Sequence, residues 1–538
     1  MSASHSAAAE GGLGGVFKEW LFTTDHKRIG VLYLVGSFAA FAVAGFSAMV
    51  LRLEQHSIGA QVIETGMDYN HALYFHGTAM ILAFLIPGLT GFFANYFLPL
   101  MIGANDVAFP RVNALSVWLF YAAIVLALLT YVVPDGPDVM WTGYPPYSVT
   151  TESNTAFYVF AVHLLGFSSI LGAVNFLVTV IFLRAPGMGW NQLNIFTWTT
   201  VAAFVMQLVF IPVLAAAVTM VLFDKYLGTH FFDPAAGGDV LLYQNLFWFY
   251  SHPAVYVILL PAVGILFEIL ATMGKNRVFN YKVCVYGGIW GIVLISGEVW
   301  VHHLYVAGMP DWLRIGMMVS TLLISVPVGL LLMSLWGTLY KAAITFNVAM
   351  WYAAACLFLL LVGGLTGIPL ALPVITVNLS ETSFVHAHFH FVMALFSTFA
   401  IIGGVYYWFP KMTGRIADGK YAMVGFWLNT IGVNVTFWPL FIIGMEGMPR
   451  RYWDYAMFPQ FEPYHNVATY GALMIGAGML ITLTNWIRAA FAGPISPANP
   501  WNSQSLEWTH CPNPPGPGNF PENVVLDSEW GPYEYDKR

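Results

Sequence analysis

The sequence predicts an all-α, polytopic membrane protein with about twelve transmembrane helices. Three observations carry that expectation. Of 538 residues, 58% are hydrophobic and only 9% charged, whereas soluble chains carry roughly 25% charge. Mean hydropathy is +0.69. Apolar runs of about eighteen residues or more recur from end to end, each long enough to cross a bilayer core.

The elements follow in order. Residues 1–28 are small and polar, lack the apolar stretch of a secretory signal, and are expected to form a cytoplasmic segment. Spans are expected at 29–52, 72–101, 113–133, 155–183, 198–223, 243–272, 284–306, 314–338, 348–370, 384–409, 421–445 and 465–490. Together they make one transmembrane domain over 29–492, followed by a Pro-rich tail over 493–538. Turn-forming stretches such as Pro134-Asp135-Gly136-Pro137 separate the spans. Of the 20 Lys and Arg residues, only Arg52, Lys225, Arg314, Arg450 and Arg451 fall on one side. The richer side is expected to be cytoplasmic, which puts both termini inside, in a bacterial inner membrane. Cys284, Cys356 and Cys511 are odd in number and far apart, so neither a disulfide framework nor a cysteine metal site is expected.

Six histidines lie in or at the ends of spans, where imidazole is costly unless paired or bound to a metal. His388 and His390 are two residues apart, which on a helix turns them about 200° from each other. They cannot share one metal, but each can bind its own, and imidazole is a common axial ligand of haem iron. His76 can supply the opposite ligand to one haem, and Gly77 leaves its backbone open to a flat macrocycle. His302 and His303 can reach one small ion together with His252, and three imidazoles suit copper. Tyr256 lies one turn after His252 and can give a proton and an electron to bound oxygen. His163 and His386 read as hydrogen-bonded core residues, His386 lying close to the 388–390 pair.

These residues sit within motifs that resemble subunit I of the haem–copper oxidase superfamily, specifically the haem-a-type cytochrome c oxidases. The resemblance runs from Thr23-Thr24-Asp25-His26-Lys27 to Ser505-Leu506-Glu507-Trp508-Thr509. It includes His76-Gly77, Pro99-Leu100-Met101-Ile102-Gly103-Ala104, Ala108-Phe109-Pro110-Arg111, His252-Pro253-Ala254-Val255-Tyr256, Val301-His302-His303, Ala387-His388-Phe389-His390 and Met448-Pro449-Arg450-Arg451-Tyr452. The resemblance implies a low-spin haem A on His76 and His390, and a high-spin haem A on His388. It implies one copper on His252, His302 and His303, with Tyr256 covalently joined to the first copper histidine. Arg450 and Arg451 then hold haem propionates, Arg52 contacts the low-spin formyl group, and Trp141 is counted among the haem contacts. Glu54 matches a ligand of a peripheral calcium or sodium ion.

The departures matter as well. The family's pathway glutamate falls at Ala254, and Tyr250-Ser251 resembles the branch in which a Tyr-Ser pair replaces it. The entrance to that pathway, Asp106 with Asn95 and Asn113, is present. The second pathway's lysine, threonine and serine fall at Leu331, Val328 and Phe267. Two acids not usual in the family, Glu268 and Glu298, are candidates to replace it, Glu298 being one helical turn before His302. The His-Asp pair that binds magnesium or manganese falls at Ser380-Glu381, which puts that ion in question.

The expected function is the four-electron reduction of dioxygen to water, coupled to proton translocation. The resemblance implies a dinuclear-copper subunit II, a subunit III, and cytochrome c or a fused or bound cytochrome as donor; no nucleic-acid partner is expected. The alternatives are a quinol-oxidising member, a nitric oxide reductase-like protein, which would lack Tyr256, or a non-catalytic haem cytochrome, which would have no use for His252, His302 and His303. A secondary transporter would need no such set of histidines.

Overall fold

The computed structural model describes residues 14–15 and 17–535. The expectations for residues 1–13, and the charges counted at Lys537 and Arg538, lie outside the described residues. Among the described residues, eleven helices are long and apolar enough to cross a membrane. They are α1 (His26–Glu54), α2 (Gly66–Met101), α3 (Pro110–Leu129), α4 (Thr155–Phe182), α5 (Ile195–Leu227), α6 (Val240–Gly274), α8 (Asp311–Leu339), α9 (Val348–Ala371), α10 (Ser383–Thr413), α11 (Lys420–Met445) and α12 (Pro459–Ala492). A shorter apolar helix, α7 (Val283–Ser296), lies between α6 and α8. Two isolated bridges, Thr382 to Pro449 and Arg415 to Ile495, are the β pairing seen among the described residues.

The seventh expected span is corrected by the structure. Residues 284–306 are not one helix: α7 ends at Ser296, and a separate 3-10 turn covers Trp300–Leu304. Continuous apolar sequence hid the break, because hydropathy measures transfer from water and not backbone geometry.

Several spans begin where the sequence supplies a cap. Asp25 accepts from the Lys27 amide at 2.8 Å, Asn194 from Thr197 at 3.0 Å and Asn347 from Met350 at 2.9 Å. Each satisfies a helix-start donor that has no partner within the helix.

Helix α6 is apolar on every face and sits at the centre, with 94% of its most apolar window buried, against 11% for α8. An all-round apolar helix is stable only when surrounded. α6 packs along α5 at a close approach: a Cβ on Gly264 would lie 2.2 Å from Thr199 Oγ1 and 2.8 Å from Phe196 Cα. A second close approach joins α9 to α10, where a Cβ on Gly363 would lie 2.7 Å from the Val392 nitrogen. Small residues let membrane helices meet this tightly. The tail after α12 folds back over the end of the bundle that holds the start of α1.

Candidate metal centre

Helix α6 presents His252 and Tyr256 one turn apart, and His252 Nε2 lies 2.9 Å from the Tyr256 hydroxyl. The 3-10 turn after α7 delivers His302 and His303. One ring nitrogen from each of His252, His302 and His303 lies within 4.8 Å of the others. His252 Nδ1 and His303 Nε2 are 3.1 Å apart. His302 Nδ1 is steadied by Thr321 Oγ1 at 3.2 Å, which leaves its Nε2 free. Trp248 stacks on His303 at 3.6 Å between centroids and fixes that ring. Three converging imidazoles, with a phenol beside them, make a nitrogen-donor site suited to copper.

Across the same cavity His76 and His390 face each other with parallel rings, 4° apart in plane and 6.4 Å between centroids. His76 Nδ1 donates to the Ala44 carbonyl at 3.0 Å, and His390 Nδ1 to the His386 carbonyl at 2.9 Å. Both Nε2 atoms are therefore left as bases, the tautomer that metal-ligating histidines adopt. The two bases would hold one macrocycle's iron between them. A π-helical turn begins at His390. His388 instead rests on Thr366 Oγ1 of α9 at 3.0 Å, so the two histidines serve different sides of α10.

All six histidines line one cavity of about 900 Å³. Arg52, Trp141, Tyr250, Ser251, Arg450 and Arg451 line it too. Its size, its apolar walls and its paired bases fit two flat macrocycles and a small ion. Gly77 lines the cavity beside His76, and a Cβ there would lie 3.0 Å from Trp141, so its missing side chain also makes room for the tryptophan.

At the rim Glu381 grips Arg450 in a two-pronged pair, Arg450 Nε to Oε2 at 3.0 Å and Nη2 to Oε1 at 2.6 Å. Burial raises the Glu381 carboxyl, but the Arg450 hydrogen bond and the charges of Arg450 and Arg451 outweigh it and hold the group below its ordinary value. Burial and the charge of Arg450 bring Arg451 down to about 10. Glu54, fully buried, accepts from the amides of Gln61, Val62 and Ile63 through Oε2, while Oε1 has no partner among the described residues.

Beyond Asp106 the structure brings together groups that lay far apart in sequence. Asn113 donates to Asn95 Oδ1 at 2.6 Å. Ser116 donates to the Asn113 carbonyl at 2.7 Å, and the Tyr33 hydroxyl lies 3.0 Å from both Ser116 and Ser168. Sequence reading missed Tyr33, Ser116 and Ser168, since lone hydroxyls inside apolar runs carry no signal of their own. Burial raises the Asp106 carboxyl, partly offset by the Val107 amide. Tyr250 lines both the large cavity and a small one shared with Gln207. The buried Ser251 hydroxyl has no partner among the described residues.

Four further residues singled out in the sequence are placed as follows. His163 is satisfied as a core residue, by the Val159 carbonyl at 2.8 Å and Thr219 at 3.0 Å. His386 is not: its ring lines the cavity 4.6 Å from His390. Glu268 is buried, accepting from Tyr533 at 2.6 Å and the Phe196 amide at 3.2 Å. Glu298 is exposed at the break after α7, and because the helix stops at Ser296 it does not share a helical face with His302.

The chain is similar to known proteins over most of its length. Residues 28–474 match the family described as cytochrome c and quinol oxidase polypeptide I. It is 40% identical to cytochrome c oxidase subunit 1 of Thermostichus vulcanus, over 96% of this chain and 92% of that one. With the Synechocystis sp. protein of the same name it is 38% identical, at the same two coverages. Its fold resembles a haem–copper terminal oxidase dimer solved by cryo-EM, at TM-score 0.72 and 17% identity, covering 87% of this chain and 85% of that one.

Proposed function

Because the chain belongs to the cytochrome c and quinol oxidase polypeptide I family, we propose that it is the catalytic subunit of a respiratory terminal oxidase. It carries out the four-electron reduction of dioxygen to water with electrons from cytochrome c, and couples this to proton translocation. One observation carries the reading above the rest: a three-histidine cluster with a phenol 2.9 Å from one of its members. A cytochrome that only passes electrons has no use for either.

His76 and His390 would hold a low-spin haem A, His388 a high-spin haem A, and His252, His302 and His303 the copper. When bound, these groups supply electron transfer and the position at which oxygen is reduced. The chain's own part is to place protons. Tyr256 holds its hydroxyl at His252 and is the nearest internal source of a proton and an electron for oxygen. Asp106, Asn95, Asn113, Ser116, Tyr33 and Ser168 form a polar line toward the interior, which Tyr250 and Ser251 extend to the cavity in place of the missing glutamate. Arg52, Trp141, Arg450 and Arg451 surround the haem edges. The Glu381 carboxylate pairs with Arg450, so magnesium or manganese at Ser380-Glu381 would compete with that pair, whereas Glu54 keeps one free oxygen for calcium or sodium. Subunits II and III would complete the assembly in a bacterial inner membrane, with both termini cytoplasmic.

The test is metal and haem analysis of the purified complex, with oxygen uptake. Two haem irons and one copper per chain are expected. His303→Ala should lose copper and oxygen reduction and keep the low-spin haem spectrum. Full oxygen reduction by that variant would remove the copper assignment.

A further inference from the structure

Gln207 stands in the middle of α5 and is the one polar side chain between Val201 and Val218. It is only 2% exposed. Its amide is barely satisfied. Nε2 lies 3.5 Å from Thr90 Oγ1 of α2, a hydroxyl that already donates to the Ile86 carbonyl at 2.8 Å. Oε1 has no partner among the described residues. A polar group in an apolar interior is costly unless something binds it.

Gln207 lines the small cavity beside the large one, between α2, α4, α5 and α6. That cavity measures about 20 Å³, and roughly 10–15 Å³ is enough for one water molecule. Size alone does not hold water, since an apolar cavity stays dry. The polar side chains of this wall are Gln207, Ser169 of α4 and Tyr250 of α6. Val257 lines it as well, and Pro261, four residues on, has no N–H to give the Val257 carbonyl. Ala254 brings only a methyl group to the wall, and no carboxylate or imidazole belongs to it. The cavity's place matters as much as its lining. The hydrogen-bonded line from Asn95 ends at Ser168, the neighbour of Ser169. Tyr250 lines both cavities.

We propose that the small cavity is a binding site for one water molecule, held by the Gln207 amide, and that Gln207 is thereby a positioning residue for the proton step between Ser169 and Tyr250. The inference rests on the proposed function, because it takes the line ending at Ser168 to carry protons. A carboxamide offers both an acceptor and donors, so it fixes the water's orientation and takes no proton itself. The water receives one proton from the Ser169 side and gives one to the Tyr250 hydroxyl. Tyr250 gives its own toward the large cavity. Each group ends with the protons it began with, and nothing is oxidised or reduced.

The experiment uses the intact oxidase complex as wild type, Gln207→Leu and Gln207→Asn. Oxygen uptake, proton ejection by vesicles and haem and copper content are measured with the reduced-minus-oxidised infrared spectrum, in ordinary and oxygen-18 water. The wild type should show a water O–H band that moves in oxygen-18 water, and Gln207→Leu should lack it. Turnover in Gln207→Leu should fall on the order of tenfold, with metal content unchanged. Gln207→Asn keeps the amide on a stem one methylene shorter and should recover part of both changes. A wild-type rate in Gln207→Leu would overturn the proposal. So would a slowed rate with the water band intact, which would trace the effect to packing. Should neither variant assemble, a cryo-EM map of the wild type that resolves ordered water decides. Density in the cavity within hydrogen-bond reach of Gln207 and Tyr250 supports the site, and an empty cavity overturns it. Absence of haem or of oxygen uptake in the wild type would instead defeat the functional reading on which the proposal rests.

Discussion

Glu381 shows how one side chain can take over a neighbour's chemistry. It stands at φ +61°, a left-handed conformation that costs most residues energy. There it zips residues 380–383 to 448–451: the Arg450 amide donates to the Glu381 carbonyl at 2.9 Å, and the Ser383 amide to Met448 at 2.9 Å. The carboxylate's pairing with Arg450 completes the clip. Its ionisation lies below the ordinary 4.5, so the pair adds stability above that value and loses it as pH falls through the lowered one. Glu381→Gln is therefore expected to be less stable than wild type at neutral pH, with the difference closing on acidification below the ordinary carboxylate range. Thermal unfolding of the two proteins from pH 7 downward measures this; a difference that widens in acid would contradict it. Much at this scale was legible in sequence. The offset between His388 and His390 placed them on different sides of α10, as found. The pairing of Arg52 with His465 was not legible, because nothing local to either residue points to the other.

At the scale of elements, the consequential feature is the break between α7 and the 3-10 turn. In sequence, Glu298 and His302 have the spacing of one helical turn, and a carboxylate there looked like part of a relay to the metals. The structure ends the helix at Ser296 and leaves the Glu298 side chain exposed, with the Ser320 hydroxyl on its backbone carbonyl at 2.8 Å. Glu268 is tied to Tyr533 of the tail, and the turns of α6 above it, from Val257 to Phe267, present only buried apolar side chains, Pro261 and Gly264. Along α6 itself neither acid has a polar side chain leading toward Tyr256, and Thr199 Oγ1 of α5, beside Gly264, is the polar group that stands one turn above Glu268. Glu298→Gln is accordingly expected to reduce the high-spin haem anaerobically at the wild-type rate, within about twofold. Stopped-flow reduction measures it, and a sharply slowed step would restore Glu298 to the relay. Spans were legible because apolar length is a property of composition. The break was not, because it depends on how the turn packs against α6 and α8, and Gly297 was its only local sign.

At the scale of the whole molecule, the bundle and its tail together frame the proposed proton entrance at Asp106. The tail lies across the end at which α1 begins. Asn519 accepts from Lys27 at 2.8 Å and donates to the carbonyls of Ala104 at 2.9 Å and Asn105 at 3.1 Å. The α2–α3 turn is thereby held, with Asp106 beside it. Asp106 is half-buried, and burial raises its carboxyl above the ordinary value of 3.8 despite the hydrogen bond from Val107. Such a group exchanges protons more readily near neutrality than an exposed aspartate. From it the Asn95–Asn113 pair and the Tyr33–Ser116–Ser168 cluster lead inward across α1, α2, α3 and α4. This line is the proposed proton route, and its hydrogen-bonded part runs from Asn95 to Ser168. Asp106→Asn removes the titrating group and keeps the shape. Turnover should fall on the order of tenfold or more, proton ejection by vesicles should fall with it, and haem and copper content should stay at wild-type levels. Tyr33→Phe, which breaks the cluster further in, should slow turnover in the same direction and leave metal content intact. An Asp106→Asn enzyme with the wild-type proton-to-electron ratio and rate would mean that protons enter elsewhere, and the tail-covered turn would then be structural only.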